Sequence, residues 1–309
     1  MKKRSLAVWI MLVVLVFALC ACQGGGKKAQ EADKAASGKM VVYASFYPMY
    51  DFAKKIGGDR ADVYCMVPSG TEPHDWEPTP SDMTQLEEAA IFVFNGNGME
   101  HWVDKVQLAW KDSDLRFVEA SAGIEQLEEM PEHSAGDGHH DSDPHVWLNP
   151  IYAKQEMEKI KEAYAEADPT NADYYEENYQ KYAQQLDELD AEFSEALSLS
   201  GKRIVVQHEA FGYLCDRYGL TQVGVQGLAE EEPSLARMAE IVDFIKENGV
   251  KVIFFEELTN SKVAQAIADE TDAECAVLNP LEGVSEEQMQ AGEDYFSIMR
   301  QNLEALKKA

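Results

Sequence analysis

The feature that most constrains this chain is an alternation of short β-rich runs with amphipathic helical runs, which begins at residue 40. Such alternation is typical of α/β folds built on largely parallel sheets. Val252–Phe255 is apolar on both faces, as expected of a strand that helices cover on both sides. Strands are predicted at 40–46, 63–67, 91–94, 115–118, 203–206, 222–225, 250–255 and 274–278.

The helical segments divide this pattern into two halves. Between them, apolar residues such as Tyr175, Tyr179 and Leu186 recur at spacings of three and four, which predicts one long helix over 169–198. At 1.5 Å per residue it would be about 45 Å long. Further helices are predicted at 50–56, 81–90 with a cap at Ser81, 150–167, 210–218, 234–247, 261–271 and 286–306.

We therefore predict two α/β lobes with mainly parallel sheets, joined by a single long rigid backbone helix. The N-terminal lobe covers 40–150 and carries a His-rich loop at 120–144. The connecting helix lies within 151–200, and the C-terminal lobe covers 201–309.

The N-terminus predicts export from the cytoplasm. Lys2, Lys3 and Arg4 precede an apolar stretch at 6–19, the arrangement of a secretory signal peptide, here assigned to 1–21. The stretch is shorter than the roughly 20 residues that cross a bilayer. Residues 22–39 show no apolar periodicity and are predicted to form a flexible tether.

The end of the signal, Leu19-Cys20-Ala21-Cys22, resembles a bacterial lipobox, in which a cysteine after a small residue is lipidated and becomes the mature N-terminus. The resemblance implies that Cys22 is anchored to the membrane on its extracytoplasmic side. Cys20 is a competing candidate, and an ordinary cleaved signal is a further alternative.

Net charge limits the possible binding partners, and the number of cysteines bears on disulfide bonding. The formal net charge of −29 disfavours binding to nucleic acid or to an anionic membrane surface. The body of the chain retains Cys65, Cys215 and Cys275, an odd number that argues against a disulfide framework and favours buried thiols.

Three of the seven histidines occupy positions where α/β folds present ligand groups. His74, His145 and His208 each follow a predicted strand or precede a helix. Trp76, Trp147 and Phe211 lie close to them in sequence and could exclude water from a site or belong to the core.

Four motifs resemble the metal-binding solute-binding lipoproteins of ABC transporters that serve zinc and manganese uptake. They are Pro-His-Asp-Trp-Glu-Pro-Thr-Pro-Ser-Asp at 73–82, Asn-Gly-Asn-Gly-Met-Glu at 95–100, Asp-Pro-His-Val-Trp-Leu-Asn-Pro at 143–150 and His-Glu-Ala-Phe-Gly-Tyr at 208–213. The resemblance extends from residue 40 to about residue 306 and implies capture of a metal ion for an ABC permease and its ATPase. We expect the protein to be a monomer.

The resemblance also implies the metal ligands His74, His145 and His208. Manganese carriers of the family usually have a carboxylate where His208 stands, and three imidazoles favour Zn²⁺ over Mn²⁺. Many relatives have an aspartate where this chain has Asn279. Some zinc-binding members of the family resemble this chain in having a glutamate just after the Pro-Leu pair, so the resemblance implies Glu282 as the fourth ligand, with Asn279 or water as alternatives.

The segment 132–143 is rich in histidine and acidic residues, a composition that binds metal weakly. It also resembles the variable His-rich loop of the zinc carriers. A secondary metal-collecting or sensing role is therefore predicted for His133, His139 and His140, whereas His101 is interpreted as an ordinary surface or core residue.

The residues leave two alternative functions. A zinc hydrolase could use the same ligands, with Glu209 as a base, but the sequence contains neither a His-Glu-x-x-His helix nor a Gly-x-Ser-x-Gly elbow. The second alternative is an adhesin of the same family, although no residue specifies a host ligand. The sequence therefore predicts a zinc-binding carrier and not an enzyme.

Overall fold

A computed structural model of the chain describes residues 38–127, 142–197, 201–226, 233–257 and 262–309. The signal peptide at 1–21, Cys20 and Cys22, nearly all of the tether, and His133, His139 and His140 lie outside the described residues. Among the helices of the described ranges, none combines the length and the apolar character needed to cross a membrane. Residues Val41–Ala309 form one compact unit.

The first lobe is a four-stranded sheet of order β2-β1-β3-β4. Strands β1 and β3 pair in parallel, with Val42 opposite Ile91, and β3 pairs in parallel with β4. Every side chain of β3 is buried, as expected for a central strand of a covered sheet. The strands are β1 (Met40–Ala44), β2 (Ala61–Cys65), β3 (Ile91–Phe94) and β4 (Arg116–Glu119), and the helices are α1 (Tyr47–Gly57), α2 (Pro80–Gln85) and α3 (Val103–Ala109).

The second lobe repeats this topology with the order β6-β5-β7-β8, and all of its strand pairs are parallel. Val205 of β5 and Ile253 of β7 face each other at the centre of the sheet, and both are fully buried. The strands are β5 (Arg203–Val206), β6 (Thr221–Gly224), β7 (Val252–Phe255) and β8 (Glu274–Val277). The helices of this part of the chain are numbered α6 (Gly212–Tyr218), α7 (Leu235–Asn248) and α8 (Lys262–Asp269).

The predicted backbone helix is confirmed as α5 (Ala172–Leu197), whose 26 residues span about 39 Å. It begins three residues later than predicted because Pro169–Asn171 forms a turn of 3₁₀ helix. The preceding helix, α4 (Pro150–Ala167), is capped by Asn149, whose side chain accepts a hydrogen bond from Ile151 N, and it packs against α5.

The single helix predicted over 286–306 is wrong, because the chain forms α9 (Glu286–Ala291) and α10 (Tyr295–Leu306). Gly292 ends α9 in the left-handed conformation, with φ of 83°. The Asp294 side chain then accepts a hydrogen bond from Ser297 N and caps α10. The glycine at the end of α9 and the aspartate before α10 are ordinary signals of a helix boundary, but the apolar periodicity continues across them and predicts one helix.

Helix α10 contacts both α1 and α5. Lys55 of α1 lies 3.0 Å from Asp294 at the start of α10, and Phe296 stacks on Tyr182 of α5. Arg300 makes a bidentate contact with Glu192 of α5 at 2.9 Å. The last helix therefore ties the C-terminal part of the chain to α1 and α5.

Two smaller expectations are also corrected. Helix α2 is capped by Thr79 and Asp82, which form a reciprocal capping box, and not by Ser81. Cys65, Cys215 and Cys275 are free thiols as predicted, but of the three only Cys215 is buried.

Candidate metal centre

The candidate ligands come from loops that follow strands. His74 follows β2, His145 lies beyond β4, His208 follows β5 and Glu282 follows β8. Carboxyl ends of parallel strands face the same crevice, which is where open α/β sheets bind ligands. Each lobe thus contributes two of the four side chains.

The structure brings all four predicted side chains together, with ligand atoms within 4.8 Å of one another. Glu282 Oε1 lies 2.8 Å from His145 Nε2, 3.5 Å from His74 Nε2 and 3.7 Å from His208 Nδ1. The two Nε2 atoms of His74 and His145 are 3.4 Å apart.

These separations can be compared with a tetrahedral zinc site. Four ligand atoms at 2.0–2.1 Å from a zinc ion lie about 3.3 Å from one another. The distances that join His74 Nε2, His145 Nε2 and Glu282 Oε1 range from 2.8 to 3.5 Å and lie on both sides of that value. The donor set of three imidazoles and one carboxylate therefore fits zinc in chemistry, and these three atoms fit it in spacing.

The site is withdrawn from solvent. His145, His208 and Glu282 are at most 3% exposed, while the His74 side chain is 16% exposed. Carboxylate oxygens of Glu72, Glu256 and Glu282 also lie within 4.8 Å of one another beside the histidines. The site is therefore shielded from solvent on most sides, and carboxylates line one side of it.

The charged side chains around the candidate site favour a positive charge at its centre. Burial alone would lower the pKa of His145, but Asp143 and Glu282 outweigh it and raise that pKa to about 10. Burial would raise the pKa of the Glu282 carboxyl, yet the rings of His208, His74 and His145 hold it well below its usual range. An ionised carboxylate among these rings is the environment that a divalent cation requires.

Two further carboxylates orient the rings. Asp143 Oδ1 accepts hydrogen bonds from the backbone N–H of His145 at 2.9 Å and from its ring Nδ1 at 2.7 Å. Glu256 Oε1 lies 2.8 Å from Nδ1 of His208. With Nδ1 of His145 donating to Asp143, Nε2 is the nitrogen that faces Glu282 and His74, and it becomes a metal ligand when zinc displaces its proton.

The aromatic residues near the histidines have different positions. Trp147 is fully buried, packs edge-on against the His145 ring at 5.2 Å, and donates from Nε1 to Pro280 O. Trp76 instead packs against Trp102 in the core of the first lobe. Of these two tryptophans, Trp147 is the one whose ring packs against a candidate ligand.

The other residues singled out from the sequence make contacts outside the group of four ligands. Asn279 Oδ1 accepts a hydrogen bond from Leu281 N at 2.7 Å, and its side chain serves the turn before Glu282. His101 is exposed and lies beside Glu77. Glu209, considered as a general base, accepts a hydrogen bond from Gly224 N at 3.1 Å.

Sequence reasoning missed the residues around the ligands. Asp143 stands two positions before His145, so the short spacing was a signal for its role. Glu256 is 48 residues from His208 in sequence, and only the parallel pairing of β5 with β7 brings the two together.

Comparison with known proteins identifies the family. A family model described as "Zinc-uptake complex component A periplasmic" matches residues 42–309, almost all of the described chain. This chain belongs to the ZnuA family. The family consists of solute-binding proteins that act with ABC transporters, and the sequence-based recognition is confirmed.

Individual members of the ZnuA family resemble the whole chain. The high-affinity zinc uptake system protein ZnuA of Bacillus subtilis (strain 168) is 42% identical over 306 residues, covering 96% of each protein. The zinc-binding lipoprotein AdcA of Streptococcus pneumoniae (strain ATCC BAA-255 / R6) is 36% identical, and the match covers all of this chain but 61% of that protein.

The crystal structure of Zn(II)-bound AdcA from Streptococcus pneumoniae superposes with a TM-score of 0.78 at 37% identity. It covers 88% of this chain and 57% of the AdcA chain. The two-lobed fold predicted from the sequence is therefore shared with solved members of the ZnuA family.

Proposed function

We propose that this protein captures Zn²⁺ outside the cytoplasm and delivers it to an ABC permease for uptake. The observation that carries the proposal is the convergence of three imidazole nitrogens and one carboxylate oxygen within 4.8 Å. The zinc-binding names of relatives that match almost the whole chain support the same cargo.

The surrounding residues prepare the ligands for the ion. Asp143 fixes the His145 ring and Glu256 fixes the His208 ring, so neither ring has to be ordered when zinc arrives. Trp147 packs edge-on against the His145 ring and helps to exclude water from it. Zinc supplies the positive charge that Glu282 requires within the buried centre.

The ligand set also favours zinc over manganese, the main alternative considered from the sequence. Imidazole nitrogen suits zinc, whereas manganese prefers carboxylate, carbonyl and water oxygens. With His208 in place of a carboxylate, the centre offers three nitrogens and one carboxylate.

A competition titration tests the proposal. Purified, metal-stripped protein is titrated with Zn²⁺ or Mn²⁺ against a chromophoric chelator, alongside His208→Ala, Glu282→Ala and the surface control His101→Ala. We expect one tight zinc site that weakens by more than about 100-fold in the two site variants, beyond the range that neighbouring groups produce. Tighter manganese binding, or equal zinc affinity in all variants, would overturn the proposal.

Attachment to the membrane is a second part of the proposal. We infer that residues 1–21 are removed, that Cys22 carries the lipid, and that 22–39 tether a monomeric body to the cell surface. The lipoprotein name of the streptococcal relative supports the anchor. Metabolic labelling with a fatty acid should label the wild type and the Cys20→Ser variant but not Cys22→Ser. A labelled Cys22→Ser variant would contradict the assignment of the lipid to Cys22.

The segment with His133, His139 and His140 is proposed to collect zinc for the main site. Its high density of imidazole and carboxylate groups supports weak metal binding. Replacing the three histidines with serine should leave the affinity of the main site unchanged and slow zinc uptake by cells at low zinc. Unchanged uptake in the triple variant would refute this role.

A further inference from the structure

The segment that presents Glu282 has an unusual backbone conformation. Leu281 has φ of 64°, and within the described residues only Asn97 shares a positive φ among non-glycine residues. Asparagine tolerates the left-handed region, but leucine does so only under constraint. Such a conformation next to a ligand requires surrounding contacts that hold it in place.

Asparagine side chains supply these contacts. Asn279 Oδ1 accepts the Leu281 N–H at 2.7 Å and closes the turn from within. Asn302 of α10 binds both backbone groups of Asn279: its Oδ1 accepts from Asn279 N at 2.8 Å, and its Nδ2 donates to Asn279 O at 2.7 Å. Asn302 is 2% exposed, so water does not substitute for these bonds.

The same helix also holds the loop of His145. Tyr295, at the start of α10, donates from its hydroxyl to Trp147 O at 2.7 Å. The Trp147 indole in turn donates to Pro280 O at 2.7 Å, next to Leu281. Helix α10 therefore fixes the His145 loop and the Glu282 loop to one rigid element.

We propose that Asn302 and Asn279 are positioning residues for metal capture. They hold Leu281 in the left-handed conformation and so set the Glu282 carboxylate against the three histidines before the ion arrives. Both side chains act in this arrangement through backbone groups and not as metal ligands. They supply in advance the order that Glu282 would otherwise have to gain when the ion binds. Other groups that orient metal ligands act in the same way.

The test is a cycle of variants that separates positioning from general stability. It rests on the proposed function, because it uses zinc affinity as its readout. Asn302→Ala is compared with the wild type, and Asn302→Ala/Glu282→Ala is compared with Glu282→Ala, all by chelator competition at one pH.

We expect Asn302→Ala to weaken zinc binding about 10- to 100-fold when Glu282 is present and less than about threefold when Glu282 is already absent. An equal loss in both backgrounds, or no loss in either, would overturn the positioning role. If Glu282→Ala alone left zinc affinity unchanged, the proposed ligand set would fail instead, so the two failures are distinguishable.

A second pair of variants covers the case in which Asn302→Ala does not fold. Asn279→Ala removes the acceptor for Leu281 N, whereas Asn279→Ser keeps a side-chain oxygen that can close the same kind of turn. We expect zinc affinity to fall in Asn279→Ala and to recover at least partly in Asn279→Ser. Equal affinities of these two variants would contradict the role of the turn.

Discussion

The hydrogen bond between Asp143 and His145 offers a sharp test of how the candidate centre is organised. In Asp143→Asn the side chain keeps its size, but it loses the negative charge on the oxygen that accepts hydrogen bonds from both N–H groups of His145. The asparagine amide can also present its NH₂ group to the ring, which favours the wrong tautomer for a metal ligand.

The magnitude follows from the geometry. A buried hydrogen bond of 2.7 Å to a charged acceptor contributes about 1.5–3 kcal/mol. If that contribution is lost mainly from the metal-bound state, zinc affinity falls by about 10- to 100-fold. The same range is typical of groups that orient metal-ligating histidines.

Chelator competition at constant pH and ionic strength measures the effect. Asp190→Asn is the matched control, because Asp190 forms a bidentate contact with Arg217 and is not among the candidate ligands. We expect the control to bind zinc like the wild type. An Asp143→Asn variant that folds normally and binds zinc within about threefold of the wild type would refute the reasoning.

Three further predictions concern other parts of the molecule. Gly212→Ala should weaken zinc binding about 10-fold, because the added Cβ would collide with Asp143 Oδ2; unchanged affinity in the titration would count against it. Lys55→Met should destabilise the fold by about 3–5 kcal/mol in denaturant unfolding, because Asp51 would be left buried without its cation, and a loss below 1 kcal/mol would contradict this. Glu156 is fully buried, and neither of its carboxyl oxygens has a hydrogen-bond partner among the described residues; burial together with nearby Glu100 raises its pKa well above the usual range. The folded state thus binds this proton more tightly than the unfolded state, so stability falls as pH rises from about 4.5 towards the raised pKa. Glu156→Gln should then melt about 3 °C or more above the wild type at pH 8 and close to it at pH 5, as calorimetry can check.

The fold could be predicted well because its signals are local. Buried strands such as Ile91–Phe94 and Arg203–Val206 were located exactly, since short apolar runs flanked by polar turns define them. Asn149 and Pro150 marked the start of α4 through capping chemistry. The missed break at Gly292 came from extending an apolar pattern across a left-handed cap.

The centre was predictable only in part. Motifs predict the three histidines and Glu282 as ligands, and the structure brings these four side chains together. The roles of Glu256 and Asn302 depend on contacts between residues 48 and 23 positions apart, which no local pattern encodes. The left-handed Leu281 was equally invisible, because leucine is not a residue that signals a positive φ.

Zinc-edge anomalous diffraction from crystals grown with one equivalent of Zn²⁺ tests the central claim most directly. The account predicts one strong peak within about 2.0–2.2 Å of a nitrogen of His74, His145 and His208 and an oxygen of Glu282. A peak at another group of residues, or a peak here that Glu282 does not contact, would contradict it.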